Sequence, residues 1–324
     1  MKYVLRRFTR VVLLLIGVSV LCFAFTALAP GNYLDEMRLN PQISPDTIAS
    51  LRAQYAMDRP LPVRYARWVE SVTRGEWGYS FAYNMPVAPL IWVRARNTLL
   101  LALVAMFGAW LIAVPLGVCA GVRPGGWADH LTHALTAIFL SLPEIVIAVV
   151  VLAAVVRVSW LPAGGMTSLG FDELSRAAQL RDLLRHVLVP ATILIVAGLP
   201  VILRHVRAAV AEIVHAPYIA AARAHGIPPL RLVFRHVLPA AANPAISLFG
   251  FSLAGLLSGS LLVEVITGWP GLGPLILEAT LARDIYVVIC GVMLSTLALL
   301  AGSLAADVLL LLADPRISVE APHV

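Results

Sequence analysis

The chain has 324 residues, 60% of them hydrophobic and 13% charged. A soluble domain carries about a quarter charged residues, so this composition excludes both a soluble globular domain and a disordered chain. The net charge of +6 comes from 23 arginines and a single lysine, Lys2. In so apolar a chain a basic excess is the positive-inside bias of a membrane protein. No RNA- or DNA-reading motif accompanies it, so nucleic acid is not an expected partner.

Lys2, Arg6, Arg7 and Arg10 precede an apolar run over 11–29 that ends Ala27-Leu28-Ala29 before Pro30. A cleaved signal peptide and a retained first transmembrane helix both fit. The run is long for a signal core and more spans follow, so a retained helix with its N-terminus inside is expected. Residues 30–97 form the longest polar segment, with turn signals at Pro30-Gly31, Asn40-Pro41 and Arg59-Pro60. Within it Ser44 and Pro45 read as the N-cap and first position of a helix.

Further apolar runs occupy 98–122, 130–156, 188–202, 240–266 and 286–312. Each approaches or exceeds the roughly 18–20 residues that span a bilayer, or continues one that does. Pro115, Pro143 and Pro200 interrupt them, and prolines inside membrane helices usually kink them. Gly250, Gly255, Ser258 and Gly259 in the fifth run would allow close helix packing. The expected fold is an all-α polytopic membrane protein with six transmembrane helices and both termini cytoplasmic. The expected organisation is 1–29 as N-terminal segment and first helix, 30–97 as an extracytoplasmic loop, 98–316 as a five-helix core, and 317–324 as a tail. The inner loop 204–239 carries five arginines and one acid, Glu212, which supports this orientation. Arg176, Arg181 and Arg185 in the outer loop 159–187 count against it.

The inner loop contains the stretch YIAAARAHGIPPLRLVFRHVLP, residues 218–239. Alanine-rich 218–225 favours helix. Gly226 stands where a C-cap glycine belongs, Pro228 and Pro229 forbid simple continuation, and Pro229 suits a restart. Leu230, Val233, Phe234, Val237 and Leu238 then fall on one expected apolar stripe. The small-residue half has the shape of a docking element, although an ordinary cytoplasmic hairpin fits the same spacing.

Several chemistries find no support. A phosphate-binding loop needs a lysine after its glycines; the only lysine is Lys2, with no glycine-rich loop before it. Any ATP or Mg would therefore sit on another chain, and no cofactor is expected on this one. Cys22, Cys119 and Cys290 lie within apolar runs and have no metal spacing. His130 and His133 stand three apart with no third ligand near, and read as interfacial residues. No nucleophile triad or carboxylate pair is legible. Three carboxylates at membrane depth remain, Glu144, Glu264 and Asp307, and such groups are costly there. Each reads either as part of a polar translocation path or as a partner in interhelical hydrogen bonding.

Ala220-Ala221-Ala222, Gly226 and the His236-to-Pro239 segment match the spacing of the EAA loop, so the chain resembles inner-membrane permease subunits of bacterial ABC importers. Ala220 stands where that motif has Glu, a departure common in the peptide and nickel branch, and His236 stands where it has an aliphatic residue. Other pieces resemble the same branch: YVLRR from Tyr3, YAMDRPLPV and GEWGYS in the first outer segment, SLPE at 141–144, VEVITGWPGLG around Glu264, and LADPR at the end. The resemblance implies a type I importer fold with alternating access. It implies coupling through Tyr218, Ala220, Ala221, Ala222, Gly226, Leu238 and Pro239 to an ATPase groove. It implies family-wide structural roles for Glu264, Trp269, Pro270, Gly271, Gly273 and Asp307. The implied partners are a second permease subunit, two ATPase subunits and an extracytoplasmic solute-binding protein, in the bacterial inner membrane. The first outer segment then serves either as receptor contact or as a packed lid. Ser141, Pro143 and Glu144 are the candidate translocation path, because the family more often has a small polar residue at the Glu144 position. Peptides are the first substrate class by branch, with nickel or its chelates second. A secondary carrier or a passive channel is the reading from another class.

Overall fold

The computed structural model describes residues 2–28, 44, 46, 50, 59–157 and 160–313. The Ser44 cap lies mostly outside them, as do Asp314, Pro315 and Arg316. Among them five helices are long and apolar enough to cross a membrane, and a bent pair makes a sixth if counted as one span. The chain divides into two compact units, residues 1–98 with 270–297, and residues 99–269 with 298–324.

The first unit holds α1 (Lys2–Leu28), α2 (Leu61–Thr73), a two-residue hairpin β1 (Tyr79–Ser80) and β2 (Met85–Pro86), and α10 (Leu272–Leu281). It also holds the first turns of α3 (Val87–Val122) and the front of α11 (Ile285–Ala313). Helix α2 lies against α1 through an aromatic cluster: Phe23 meets Tyr65 edge-on at 5.2 Å and Trp68 at 5.2 Å. A Ser19–Tyr65 hydroxyl pair at 2.9 Å adds to it. Buried Asp284 accepts from Ser80 Oγ at 2.7 Å and from the Ala82 amide at 3.1 Å, which fastens the hairpin. Tyr83 donates to Glu278, and burial together with that carboxylate pushes its phenol up to about 12.

The second unit holds the rest of α3, α4 (Trp127–Ser141), α5 (Glu144–Val155), α6 (Arg176–Val214), α7 (Pro217–Ala224), α8 (Pro229–Leu232), α9 (Leu238–Thr267) and the rear of α11. Helices α6 and α9 form its centre, and the core runs from Leu101 on α3 through Ile193 and Leu194 on α6 to Val263 and Trp269. Close approach is set by missing side chains. A Cβ on Gly117 would meet Val206 at 2.9 Å, and one on Gly121 would meet the Arg207 carbonyl at 2.7 Å. Small residues four apart are the usual device for such packing in lipid.

Two expectations need correction. The run 130–156 is not one kinked helix but two, α4 and α5, meeting at 102°. Leu142, the residue before Pro143, is extended (φ −92°, ψ 126°), as the proline ring favours for its predecessor. The outer segment 159–187 is also shorter than expected, because α6 begins at Arg176. Ser175 caps it by accepting from the Ala178 amide at 3.4 Å. At 39 residues α6 is about 58 Å long, well beyond the hydrocarbon thickness. Arg176, Arg181 and Arg185 therefore sit on its first turns rather than on a loop.

Candidate functional site: the inner loop and the groove at Glu144

The stretch 204–239 opens as the last turns of α6 and not as loop. Helix α7 then starts with Pro217 at its first position, where the missing N–H costs nothing. It ends in a glycine-terminated motif: the Gly226 amide donates to the Arg223 carbonyl at 3.0 Å, and the Ile227 amide to the Ala222 carbonyl at 3.3 Å. Gly226 has φ +76°, and a Cβ there would touch nothing within 4 Å. The constraint is thus backbone conformation alone.

Burial orients α7. Ile219 is completely buried in a cluster with Ile202, Leu203, Val206 and Val210 of α6. Tyr218, Ala220, Ala221, Arg223 and Ala224 are exposed, and Ala222 is half-buried. The result is a helix pinned by one isoleucine, with a shallow, small-residue face turned outward.

The chain restarts at Pro229, as expected, but does not form a separate short helix. It runs on into α9 through a π-turn at Val233–Val237. A π-turn holds about one extra residue per turn, so the side chains rotate out of α-helical register. Leu232 and Val237, five apart, are buried at 4% and 0%. Leu230 and Phe234, expected on the apolar stripe, are exposed at 74% and 68%. Leu238 is half-buried and Pro239 exposed in the first turn of α9.

An ion pair that sequence reading missed braces the same end of the unit. Arg207 on α6 binds Asp129 on α4 in a two-pronged contact, Nε to Oδ1 at 2.7 Å and Nη2 to Oδ2 at 2.9 Å. The Gly125 amide donates to Asp129 Oδ2 at 2.8 Å, so the carboxylate also closes the α3–α4 turn. His133 Nε2 lies 3.6 Å from Asp129 Oδ1, while His130 and His133 are both exposed. The only sequence signal was an aspartate at the head of an apolar run; its partner lies 78 residues away.

Pro143 ends α4 and caps α5, placing Glu144 at the first position of α5, where the helix dipole favours a carboxylate. The Glu144 side chain packs over Gly259 of α9: its Oε1 lies 3.2 Å from where a Gly259 Cβ would stand. It lines a groove of about 350 Å³ whose walls include Ala197, Gly198, Gly255 and Phe251. Ser141 is not in that lining; its hydroxyl donates to the Ile138 carbonyl at 2.7 Å.

The remaining singled-out residues fall elsewhere. Glu264 and Trp269 are completely buried in the second unit, where the Trp269 amide donates to the Glu264 carbonyl at 2.9 Å and Gly268 (φ +64°) ends α9. In the first unit the Pro270 carbonyl accepts from Asn97 Nδ2 at 2.9 Å, and Thr98 Oγ1 accepts from the Leu272 amide at 2.8 Å. Gly271 caps α10 and Gly273 is buried in its first turn. Asp307 is half-buried on α11.

With this geometry in hand, comparison with known proteins is informative. Residues 113–319 match the family described as binding-protein-dependent transport system inner membrane component, and residues 1–102 match its N-terminal companion. The oligopeptide transport system permease protein AppB of Bacillus subtilis is 31% identical across 97% of this chain and 98% of its own. The dipeptide transport system permease protein DppB of Escherichia coli is 31% identical across 98% of each. Among solved structures, an inward-facing MetNI methionine ABC transporter aligns with a TM-score of 0.52 at 22% identity, over 68% of this chain and 96% of that one. That last likeness bears on fold alone, and agrees with a type I importer permease.

Proposed function

This chain belongs to the family of binding-protein-dependent transport system inner membrane components, and we propose that it is the permease subunit of an ATP-driven importer that carries peptides. The names of the relatives AppB and DppB support the substrate class. The observation that carries the coupling role is α7: a helix pinned by Ile219, with Ala220, Ala221 and Ala224 exposed and its exit set by Gly226. Such a face admits close approach by a groove on another chain. The partner is an ATPase subunit, in two copies, which carries the ATP and Mg this chain is not equipped to hold. A second permease subunit and an extracytoplasmic binding protein complete the assembly, in the bacterial inner membrane with both termini cytoplasmic.

The mechanism follows from the connections. ATP closes the ATPase pair and displaces the docked α7. Its motion passes to α6 through the short link at His215 and Ala216, and to α9 through the turn at 226–228. Helices α6 and α9 are the walls of the groove at Glu144, so movement at the loop changes the opening of that groove. A carboxylate there suits the ammonium end of a peptide.

The test is isolation of the complex from membranes. An ATPase subunit should co-purify with the unaltered chain and be lost when Ala220 and Ala221 are replaced by Trp, with the chain still inserted at normal level. Retention of the ATPase by the Trp variant would refute the docking role of this face.

A further inference from the structure

In the first unit, the Nε of Arg64 on α2 is buried and has no hydrogen-bond partner among the described residues. Buried donors normally have one, so the group calls for an explanation. Arg64 lines a cavity of about 670 Å³ together with Arg67, Ser71, Tyr79 and Tyr286; Glu76 is the one acid on its wall. Arg74, nearby on the chain, is taken up by Glu70, whereas neither Arg64 nor Arg67 has an ion pair among the described residues. The wall is therefore net cationic, with hydroxyl donors beside the guanidinium groups.

A second cavity, of about 120 Å³, is lined by Leu15 of α1, Val72, and Met293, Leu294 and Leu297 of α11. Its lining is apolar. Trp68 and Trp77 border both cavities. The depth is fixed by α1: the Ser19–Tyr65 contact and the Phe23 cluster hold α2 against the stretch Thr9–Thr26, which is apolar enough to lie in the membrane. Tryptophan, tyrosine and arginine at that level are the residues of a bilayer interface.

We propose that this double cavity binds an anionic phospholipid. Its phosphate sits on Arg64 and Arg67, and the part of an acyl chain nearest the head lies in the slot between α1 and α11. The charge selects the head: a zwitterionic lipid offers the same phosphate but adds a cation facing two arginines. In the orientation proposed above, the lipid belongs to the outer leaflet. It would tie α2 to the membrane surface and stabilise the segment between the first helix and the hairpin.

The experiment is native mass spectrometry of the complex, purified in detergent and offered equal phosphatidylglycerol and phosphatidylcholine. Phosphatidylglycerol should be retained in preference. Arg64→Gln and Arg67→Gln should each lower its retention about fivefold, the scale of one basic residue at an anionic surface. Arg67→Lys should keep most of it. Glu76→Gln should raise retention, an outcome misfolding would not produce. Equal retention of both lipids, or phosphatidylglycerol retention that survives the Arg64→Gln/Arg67→Gln double substitution, would overturn the proposal. So would a double variant that keeps the lipid and instead loses capture by the extracytoplasmic binding protein, since the cavity would then be a protein contact.

Discussion

The second unit contains two helix breaks of opposite construction. At Gly226 the chain turns because one residue adopts φ +76° and the next two helix-competent positions are prolines. At Pro143 nothing is left-handed; Leu142 becomes extended ahead of the ring, and a new helix starts at Glu144. The first break leaves a small-residue helix in the open, the second leaves a carboxylate in a groove. One break is built from a conformation that only glycine adopts cheaply, the other from a missing N–H and a charge placed at a helix start. Their sensitivities to substitution should therefore differ in kind.

The largest effect is expected at the brace both breaks depend on. Arg207→Ala strands Asp129, which is only 5% exposed, and should destabilise the chain by about 3 kcal/mol. The double variant Asp129→Ala/Arg207→Ala should be less destabilised than the single one, because no buried charge remains. Thermal unfolding in detergent reads both, and additive losses would show that the pair does not couple.

Next in size is the Gly226 break. Gly226→Val forces a β-branched residue to positive φ at a cost of about 1–3 kcal/mol. Since nothing crowds that position, the cost should appear as lost ATPase binding or uncoupled hydrolysis rather than as failed insertion. Gly226→Asn should be milder. Co-purification of the ATPase and peptide uptake report the difference; normal uptake by the Val variant at normal membrane level would make the loop a plain connection.

Smallest in stability, and most specific in function, is Glu144→Gln. The substitution keeps shape and helix position and removes charge, so stability should change by less than about 1 kcal/mol, the scale of a carboxylate at a helix start. Peptide uptake should fall while assembly and basal ATP hydrolysis persist. Loss of assembly instead would make Glu144 a structural partner and erase the contrast between the breaks.

How legible these regions were in sequence follows the same division. The turn at Gly226 was readable because glycine and two prolines have only a local meaning. The break at Pro143 was not, because Pro115, Pro190, Pro200 and Pro244 give the same signal and remain inside helices. What differs is Glu144, a carboxylate that a continuous helix would strand at membrane depth and a new helix start accommodates. The stripe through Leu230 and Phe234 was misread because a π-turn shifts the register by one residue, which periodicity alone does not reveal. Asp129 was passed over because its meaning rests on Arg207, far along the chain.

The hairpin clasp has a consequence for synthesis. Ser80 and Asp284 are 204 residues apart, and the first unit is assembled from both ends of the intervening chain. At a translation rate of about 5–20 residues per second, Ser80 leaves the ribosome on the order of ten to forty seconds before its partner exists. Through that interval the hairpin has water as its only acceptor for the Ser80 hydroxyl and the Ala82 amide. The earliest polar segment of the protein is thus completed only after almost everything made later has already been inserted.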